Sequence, residues 1–506
     1  MEEKMELVAK TFQGLEDVLA DELRQLGAED VTPGTRMVAF KGNMEILYRA
    51  NFCCRTALRI LKPIYTFKAT DADELYEQAK LFDWDKFLSP DKTFAIDSTV
   101  FSEDFRHSKF VTYRVKDAIA DFFTERYGRR PSIRLSGADI LLNVHIYQDS
   151  VTLSLDSSGE SLHKRGYRVE QTEAPINEVL AAGLILKTGW HGECNLIDPM
   201  CGSGTFLIEA ALIARNINPG VFRSGFAFEN WPDFDRDLFD DIYNDDSAER
   251  EFVHKIYGSD ISPKAIAIAE RNIKSAGVGR DIDLKVSPIS DYTEAPEGGI
   301  LITNPPYGER ISADDMDALY ASIGSQLKNV FKNYHAWIIG MKKECFDKIG
   351  LKPSRKIPML NGALECEFRE YEVFDGTYAE FRKQGRALRG EAPKPRPMRK
   401  KREDDEESRP PRRWKNQADG HRSRRDFKRE KDSDDWEKDR HGVKRRKAKN
   451  PLEERYHKPY SERRRDFNDE KVRKNVRFKM PKLFDESEWG ETEVVMRHRN
   501  RKDNKD

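Results

Sequence analysis

Short apolar runs alternate with helical patterns over residues 175–340, and this alternation constrains the fold more than any other feature of the chain. The runs have the length of buried strands, and the segments between them space their apolar residues as helices do: "NLIDP", "KIYGSD", "IDLKVS", "GGILITN" and "YHAWIIGM". Strands joined by helices run parallel and are covered on both faces. We therefore expect an α/β domain with a mostly parallel sheet.

A hairpin follows this alternation. In "KIPMLNGALECEFREYEVF" two strand-like runs meet at Asn361-Gly362, which is a strong hairpin signal. The pattern predicts an antiparallel terminal hairpin that closes one edge of the sheet, and a domain over 175–375. Residues 217–252, rich in aromatic residues and Asp, interrupt the domain as an excursion between a helix and a strand.

Two smaller α+β units precede this domain. Residues 1–60 contain the strand "MELVAKTF", a helix that Gly27 ends, and the strand "RMVAFKG". Residues 61–157 contain a long helix that stops at Gly128 and two strands around a polar turn at Gln148–Ser150. Residues 158–174 are polar and loop-like, which is typical of a linker.

The composition changes at the end of the chain. Residues 381–506 carry 43 Lys and Arg against 27 Asp and Glu, a net charge of +16, whereas residues 1–380 carry 45 and 62, a net charge of −17. The segment has no periodicity and cannot bury enough apolar surface to offset chain entropy, so we expect a disordered charged tail. A basic tail contacts nucleic acid or keeps a protein soluble, and the sequence leaves both roles open.

The cysteines and the hydropathy of the chain indicate the cellular compartment that we expect. None of the six cysteines forms a CxxC pair, so we expect no zinc or other metal site and no disulfide framework. The N-terminus has no apolar signal core, and no run of about 18 apolar residues predicts a membrane span. We expect a reduced protein of the cytoplasm.

A glycine-rich turn follows the first strand of the α/β domain in "NLIDPMCGSGTFLIEAAL". The strand ends at Asp198, Gly202 and Gly204 allow a tight bend, and a helix begins near Thr205 and offers free N–H groups. A Walker phosphate loop is excluded because no Lys precedes the Ser/Thr, and a dinucleotide fingerprint is excluded because Leu207 stands where its third Gly belongs. A plain turn between strand and helix is the alternative to a ligand site.

The second strand ends at Asp260. A carboxylate at this place suits the two hydroxyls of a ribose, because it accepts both hydrogen bonds. Ser262 before Pro263 also has the pattern of a helix N-cap, which needs no ligand. The two interpretations are compatible.

The fourth strand ends in Asn304-Pro305-Pro306-Tyr307. Two prolines stop regular structure and stiffen the corner. The Asn304 side-chain oxygen and the backbone carbonyl beside a proline can both accept from one planar amino group, which aims the nitrogen lone pair. Tyr307 offers a flat face for a base taken out of its helix. A rigid turn without chemistry is the alternative.

Together, "DPMCGSGT", "YGSDIS" and "NPPYGER" resemble class I S-adenosylmethionine-dependent methyltransferases that act on exocyclic amino groups. The resemblance extends over residues 5–375 to bacterial 23S ribosomal RNA guanine-N(2) methyltransferases of the RlmL type, through "FRHSKFVTYRVKDAIADFF", "SLDSSGESLHKRGYR", "APINEVLAAGLILKTGW" and "NGALECEFREY". It implies a Rossmann-like domain with a seven-stranded sheet, preceded by a ferredoxin-like unit and a THUMP RNA-binding domain.

The resemblance also implies roles for individual residues. The amino group would be held by Asn304 and Pro305, with Pro306 in the same corner and Tyr307 stacking. The cofactor S-adenosyl-L-methionine would be bound by Pro175, Asn177, Asp198, Cys201, Gly202, Ser203, Gly204, Thr205 and Asp260. The family places an Asp after the next strand to meet the adenine amino group, but Pro288 stands there, and Asp291 is the substitute that we expect.

A basic cluster lies before and along the long helix of the THUMP-like unit. It consists of Arg106, His107, Lys109, Arg114 and Lys116. A solvated helix face explains such a cluster without a ligand, whereas the resemblance implies contacts with RNA phosphates.

The function that we expect is methylation of a guanine amino group in 23S (large-subunit) ribosomal RNA, by direct in-line displacement on the sulfonium methyl. The same corner suits a tRNA guanine, an adenine or a protein Gln amide, and a ribosome-assembly factor whose RNA binding matters more than catalysis is a further alternative. The expected partner is ribosomal RNA or a large-subunit precursor, with the tail contacting RNA or the ribosome and no membrane.

Overall fold

The computed structural model describes residues 4–296, 298–306, 312–341, 343–362, 364–374 and 376, and two short strands further along the chain. Two large sheets organise residues 4–376, one with eight strands and one with seven. The first sheet is mixed, and the second is parallel except at one edge. No helix among the described residues is long and apolar enough to cross a membrane.

The first sheet has the strand order β2-β3-β1-β4-β8-β7-β5-β6. Its elements in chain order are β1 (Met5–Lys10), α1 (Glu16–Gln25), β2 (Glu29–Gly34), β3 (Met37–Gly42), α2 (Met44–Cys53), β4 (Arg59–Lys68), α3 (Ala72–Leu81), β5 (Thr93–Phe101), α4 (Ser108–Tyr127), β6 (Ser132–Ile133), β7 (Ile140–Tyr147) and β8 (Ser150–Asp156). Apolar side chains from all four helices and from the strands form one continuous core.

Strand β4 joins the two N-terminal units into one sheet. Its first three residues pair with β1, and its residues from Leu61 to Lys68 pair with β8, both antiparallel. The expected boundary between residues 60 and 61 therefore falls inside a single strand. The expected long helix and its Gly128 terminus are confirmed, since α4 ends at a glycine with φ of 67°, and the two strands around Gln148–Ser150 are β7 and β8.

The second sheet has the order β11-β10-β9-β12-β13-β15-β14. Its elements and the helices around it are α5 (Glu178–Thr188), β9 (Asn195–Asp198), α6 (Thr205–Ala214), α7 (Arg236–Asn244), β10 (Ile256–Asp260), α8 (Pro263–Ala276), β11 (Ile282–Val286), β12 (Gly299–Thr303), α9 (Ala313–Asn329), β13 (His335–Gly340), α10 (Lys343–Lys348), β14 (Arg355–Asn361) and β15 (Leu364–Glu372). The first five strands in this order run parallel.

The expected terminal hairpin is confirmed. β14 and β15 pair antiparallel, with Asn361 opposite Leu364, and β15 also pairs antiparallel with β13. The hairpin thus closes one edge of an otherwise parallel sheet. The seven-stranded sheet has the architecture that the sequence predicts.

All ten residues of helix α6 are buried, and eight of them are apolar. A helix of this kind must lie inside a larger core. It packs beside α5, whose own middle contacts the N-terminal sheet: a Cβ at Gly183 would lie 2.4 Å from a methyl carbon of Leu15. The glycine-rich turn before α6 is therefore held on a rigid, deeply buried element.

The aromatic excursion over 217–252 packs on the N-terminal domain. Its Phe228 is fully buried and lies 4.6 Å from the ring of Tyr48 in α2, with Phe234 and Phe239 around it. Helix α7 lies within this excursion. The sequence indicates an insertion here, and the structure shows that it binds the two large units to each other.

The segment 158–174 contains neither helix nor strand, as its polar character predicts. It is nonetheless tightly packed, because Arg165 and Tyr167 are buried at 2% and 1% exposure. Arg165 pairs with the fully buried Glu209 of α6 at 3.4 Å, and the Tyr167 hydroxyl donates to the same carboxylate. We call residues 157–170 the strap, because they fasten the N-terminal sheet to α6.

Most of the expected disordered tail over 381–506 lies outside the described residues. Within it the structure describes β16 (Trp436–Lys438) and β17 (Lys444–Arg446), which pair antiparallel. The sequence does not predict this short pair of strands.

We predict that Phe228→Ala lowers the free energy of unfolding by about 3–5 kcal/mol, because it removes a fully buried ring from the aromatic cluster. Phe110→Ala, at a half-exposed ring on α4, should change it by no more than about 0.5 kcal/mol. Denaturant titration followed by circular dichroism measures both. Equal effects of the two variants would contradict the packing role of the excursion.

Candidate active site at the carboxyl edge of the second sheet

The strand order places β9 between β10 and β12, and all three run parallel. The chain continues from β9 to one side through β10 and β11, and then returns to the other side through β12 and β13. Ligands of open α/β sheets bind at such a switch point, outside the carboxyl ends of the strands. The sequence-predicted residues Asp198, Asp260 and Asn304 end or directly follow these strands.

Asp198 and the strand before the proline corner are in direct contact. The Thr303 hydroxyl donates to Asp198 Oδ1 at 2.8 Å, and the backbone N–H of Met200 donates to the same oxygen at 3.1 Å. The glycine turn and the proline corner therefore lie side by side at this edge of the sheet, and we call the region between them the crevice. Burial raises the pKa of Asp198 to about 7, and these two hydrogen bonds offset only part of that effect.

The glycine turn is shaped by two residues with positive φ, Gly202 at 53° and Gly204 at 82°. A Cβ at Gly202 would have only Thr172 Oγ1 nearby, at 3.9 Å, so the space above the turn is open. The backbone N–H of Gly202 donates to Asp260 Oδ2 at 3.0 Å. The turn is thus open toward a ligand and fixed on the side of Asp260.

Asp260 is oriented by backbone groups on both of its oxygens. Besides Gly202, the N–H of Ser262 donates to Oδ1 at 2.9 Å. The Ser262 hydroxyl accepts from the N–H of Ala265, so the N-cap that the sequence indicates is confirmed. Each carboxylate oxygen keeps a further lone pair, so the capping role and a ligand role are both open to this loop.

The proline corner presents an unused acceptor. Asn304 Oδ1 is inaccessible to solvent and has no hydrogen-bond partner among the described residues. Pro305 is buried and Pro306 half-buried. A buried acceptor without a partner costs about 1–3 kcal/mol, which a donor from a ligand would recover. Tyr307 lies outside the described residues, so its expected stacking role stays a prediction.

The remaining residues of the glycine turn are buried. Burial raises the pKa of the Cys201 thiol well above its usual value, so the sulfur is a neutral part of the turn. Ser203 and Thr205 point their hydroxyls toward the Arg168 guanidinium, which donates to each at 3.0 Å. The Ser203 and Thr205 hydroxyls therefore help to hold the turn in place through Arg168.

Arg168 of the strap is a residue that the sequence analysis did not single out. Its guanidinium also donates to Glu178 Oε1 at 2.6 Å and to the carbonyl of Ile176 at 3.3 Å. One planar group thereby connects the strap, the start of α5 and the glycine turn. The only sequence signal was an arginine in a polar segment, and that pattern does not indicate burial.

Asn272 of α8 fastens the same region from the other side. Its amide group is buried, donates to the carbonyls of Ser203 and Glu170, and accepts from the N–H groups of Val169 and Glu170. An asparagine within a helical pattern gave no signal of this role. Asn272 therefore connects the strap to the glycine turn through hydrogen bonds.

The expected cofactor residues outside the turn lie in different settings. Asn177 caps α5 by accepting from the N–H of Val179 at 2.9 Å, and Pro175 is half-buried in front of it. Asp291 is exposed in a single 3-10 turn and accepts from the Ser290 hydroxyl. Its carboxylate is accessible, and nothing in the structure assigns it a ligand.

Two apolar side chains at this edge were not identified from the sequence. Ile261 follows Asp260 and is 72% exposed, and Val286, opposite Asp260 in the β10–β11 pair, is 49% exposed. These two branched aliphatic residues provide apolar surface at the ends of two neighbouring strands, next to Asp260 in sequence and in register. Such a surface fits one face of a flat apolar ring.

Three of the expected RNA-binding residues lie close together in the chain at the start of α4. Arg106, His107 and Lys109 are exposed where the chain enters α4, and no ion pair engages them among the described residues. The charges of Arg106 and Lys109 are available to a ligand.

The other two expected RNA-binding residues have intramolecular partners. Arg114 donates to Asp73 at 2.8 Å and lies over the ring of Tyr76, and Lys116 pairs with Asp117 at 2.7 Å. A solvated helix face, the alternative left open by the sequence, describes these two residues better than it describes the first three.

Comparison with known proteins adds three family matches. Residues 165–370 match the family described as RMKL-like methyltransferase domain, residues 69–156 match the THUMP domain, and residues 6–61 match the RlmL ferredoxin-like domain.

Similar proteins cover the described body of the chain. A Synechocystis sp. protein, provisionally named an RNA methyltransferase, is 41% identical over 72% of this chain and 96% of its own length. The ribosomal RNA large subunit methyltransferase K/L of Syntrophotalea carbinolica is 38% identical over 74% of this chain but 54% of its own length. The chain thus spans about half the length of that relative.

A solved structure agrees with these matches. The crystal structure of a provisionally assigned methyltransferase complexed with SAH has a TM-score of 0.66 and 30% identity, and it covers 74% of this chain and 100% of its own.

We predict that Asp198→Asn flattens the pH dependence of stability. The folded-state pKa of about 7 lies above the value near 3.9 of an unfolded Asp, so the folded state holds a proton between these values. The wild type should therefore lose thermal stability as the pH rises from about 4 to 7, and more steeply than the variant. Thermal melts across this range check it, and parallel curves would contradict the buried protonated state.

Proposed function

We propose, from the premise that this chain belongs to the family of THUMP-domain RNA methyltransferases with an RMKL-like catalytic domain, that it methylates the exocyclic amino group of a guanine in large-subunit (23S) ribosomal RNA. The methyl donor that we propose is S-adenosylmethionine. The unused acceptor at Asn304, in the crevice that Asp198 and Thr303 form, is the observation that carries the proposal.

The residues of the crevice fit the proposed cofactor. Open space above Gly202 admits the methionine part, and the N-terminus of α6 offers backbone N–H groups to its carboxylate. Asp260 keeps lone pairs for the two ribose hydroxyls. Ser203, Thr205 and Cys201 would support this pocket from below.

The adenine part would lie against the apolar surface of Ile261 and Val286. Pro288 occupies the place where the family has an adenine-binding Asp, and Asp291 is the next carboxylate along the chain. We propose that Asp291 accepts from the adenine amino group, and that Pro175 and Asn177 belong to the segment that covers the cofactor.

The proline corner would hold the substrate amine. Asn304 Oδ1 and the carbonyl beside Pro305 would each accept a hydrogen bond from one N–H of the planar amino group. The nitrogen lone pair would then leave conjugation and point out of the base plane. The bound cofactor supplies an electrophilic methyl on a sulfonium sulfur. Asn304 and Pro305 would aim the amine nitrogen at this methyl for in-line displacement, and the proton that the amine releases would go to solvent. Catalysis then comes mainly from orientation.

The THUMP-like half of the first sheet would recruit the RNA through Arg106, His107 and Lys109. We propose smaller contributions from Arg114 and Lys116, because their charges are already paired. A cytoplasmic location fits this substrate, and all six cysteines lie in the described residues without a disulfide.

Transfer of a radioactive methyl group tests the proposal. The acceptors are ribosomal RNA from a strain that lacks this gene, transfer RNA and DNA, and nucleoside chromatography of the product separates N2-methylguanosine from N6-methyladenosine. Label in N2-methylguanosine of large-subunit RNA is expected. Label only in transfer RNA, or only in adenine, would replace the proposed substrate.

We predict that Asn304→Ala lowers the rate of methyl transfer on the order of 100-fold, because the amine loses the acceptor that aims it. Calorimetry should show unchanged affinity for S-adenosylhomocysteine, since we propose that Asn304 Oδ1 accepts from the substrate amine and not from the cofactor. Asn329→Ala, at an exposed amide near the end of α9, is the matched control and should keep full activity. Loss of cofactor binding in Asn304→Ala would contradict the division of roles.

We predict that Arg168→Gln weakens S-adenosylhomocysteine binding about tenfold and raises the KM for the methyl donor, with little change in kcat. The guanidinium holds the hydroxyls of Ser203 and Thr205 in place, and glutamine cannot reach all four acceptors. Arg168→Lys should restore part of the affinity. Lys164→Ala, at an exposed strap residue, should show none of these losses. A fall in kcat without a change in KM would exclude the positioning role.

A further inference from the structure

Tyr292 directly follows Asp291, and its hydroxyl is connected to the glycine turn. This hydroxyl donates to Ser259 Oγ at 3.0 Å, and the Ser259 hydroxyl donates to the carbonyl of Pro199 at 3.2 Å. A carbonyl oxygen can only accept, so the Ser259 proton belongs to the bond with Pro199, and the Ser259 oxygen accepts from Tyr292. The two hydrogen bonds therefore run in one direction, and we call them the hydroxyl relay.

Ser259 is a rigid centre for this relay. It is fully buried in β10, which lies between β9 and β11 and pairs with both. Its backbone carbonyl also accepts from the N–H of Cys201 at 2.9 Å. Ser259 thus binds the glycine turn through its backbone and through its side chain, and it cannot shift without breaking strand pairs on both sides.

The Tyr292 side chain is held in a conformation that makes it a donor. Burial raises the pKa of Tyr292 above its usual value, so the hydroxyl keeps its proton at neutral pH. The half-buried ring packs against Phe331, with the two ring centroids 5.4 Å apart. Packing of the ring and the bond to Ser259 therefore fix the same side chain at its two ends.

Residues 288–292, which we call the 288–292 turn, are also attached to α9. Gln326 Nε2 of that helix donates to the carbonyl of Ser290 at 2.7 Å. Ile289 is buried in the apolar core that α9 also lines. The turn is therefore held from one side by α9, and Tyr292 connects it on the other side to β10 and the glycine turn.

The proposed cofactor site depends on the separation of the glycine turn and the 288–292 turn. The methionine part would lie at the first turn and the adenine part at the second, so one ligand contacts both. If the second turn were free to move, binding would have to order it, and this ordering would lower the affinity. A hydrogen-bonded connection between the two turns orders them before the ligand binds.

We propose that Tyr292 is a positioning residue, which holds the 288–292 turn at the distance from the glycine turn that cofactor binding requires. It acts through Ser259 and needs no contact with the cofactor. The inference rests on the proposed binding of the adenine part at this turn. It goes beyond that proposal by assigning the preorganisation of the site to one hydroxyl group.

Calorimetric titration of the full chain with two ligands tests this proposal. Tyr292→Phe keeps the ring and should weaken binding of S-adenosylhomocysteine about fivefold, within the range that one hydrogen bond contributes. Binding of 5′-methylthioadenosine, which lacks the amino-acid part and does not span both turns, should weaken less than about twofold. Equal losses for the two ligands would mean a damaged base pocket and would overturn the proposal.

Tyr334→Phe is the matched control. The Tyr334 hydroxyl also donates to the loop before β12, to the carbonyl of Pro296 at 2.6 Å, and its ring also packs against Phe331, with centroids 5.5 Å apart. The substitution removes the same chemical group from the same core but leaves the hydroxyl relay intact, so both affinities should be unchanged. A loss like that of Tyr292→Phe would show that any weakening of this core lowers affinity, which contradicts a specific role of Tyr292.

Ser259→Ala removes the centre of the relay and should weaken S-adenosylhomocysteine binding at least as much as Tyr292→Phe does. Adding Tyr292→Phe to Ser259→Ala should cause no further loss, because the two side chains act through one hydrogen bond. A further loss in the double variant would show that Tyr292 acts independently of Ser259 and would exclude the relay.

Hydrogen exchange of the ligand-free protein gives a readout that does not depend on affinity. The backbone amides of the 288–292 turn should exchange faster in Tyr292→Phe than in the wild type or in Tyr334→Phe. Saturation with S-adenosylhomocysteine should restore the wild-type rates, because the ligand then orders the turn. Unchanged exchange in ligand-free Tyr292→Phe would also overturn the inference.

Failure of this inference is separable from failure of the proposed function. Methylation of guanine in ribosomal RNA, together with unchanged ligand affinity in Tyr292→Phe, leaves the proposed function intact and removes the positioning role. An affinity that depends on Tyr292, in a protein that methylates a different acceptor, removes the proposed substrate and leaves the positioning role intact.

Discussion

The hydrogen bond between the Thr303 hydroxyl and Asp198 Oδ1 joins the two corners on which the site depends. It links the ends of β9 and β12 at the point where the chain reverses its direction across the sheet. Because Asp198 is buried, this bond forms in a medium where it is strong and where its loss is costly. The glycine turn and the proline corner are thereby kept at a fixed separation, which a reaction governed by orientation requires.

The strap connects the glycine turn and α6 to the N-terminal sheet. Arg168 and Asn272 fasten it to the glycine turn, and Arg165 and Tyr167 fasten it to Glu209 of the helix that follows that turn. A buried ion pair adds little net stability, but breaking it leaves an uncompensated charge and is strongly unfavourable. The strap therefore contributes mainly to a unique arrangement of the two sheets.

The shared strand β4 gives the N-terminal half the same rigidity. A single run of backbone pairs connects the ferredoxin-like unit to the THUMP-like unit, so the two cannot rotate independently. The aromatic excursion, through Phe228 and Tyr48, holds this sheet against the α/β domain.

The parallel sheet, the terminal hairpin at Asn361-Gly362 and the strand ends at Asp198, Asp260 and Asn304 could all be predicted from the sequence. These follow from local signals, since hydrophobic periodicity, turn residues and glycine or proline positions act over a few neighbouring residues. Only the tertiary structure decided the roles of Arg168, Asn272 and Thr303, whose partners lie on other elements. The structure also shows that Arg106 and Arg114 differ. Arg114 has an ion-pair partner that is distant in the chain, and Arg106 has none among the described residues.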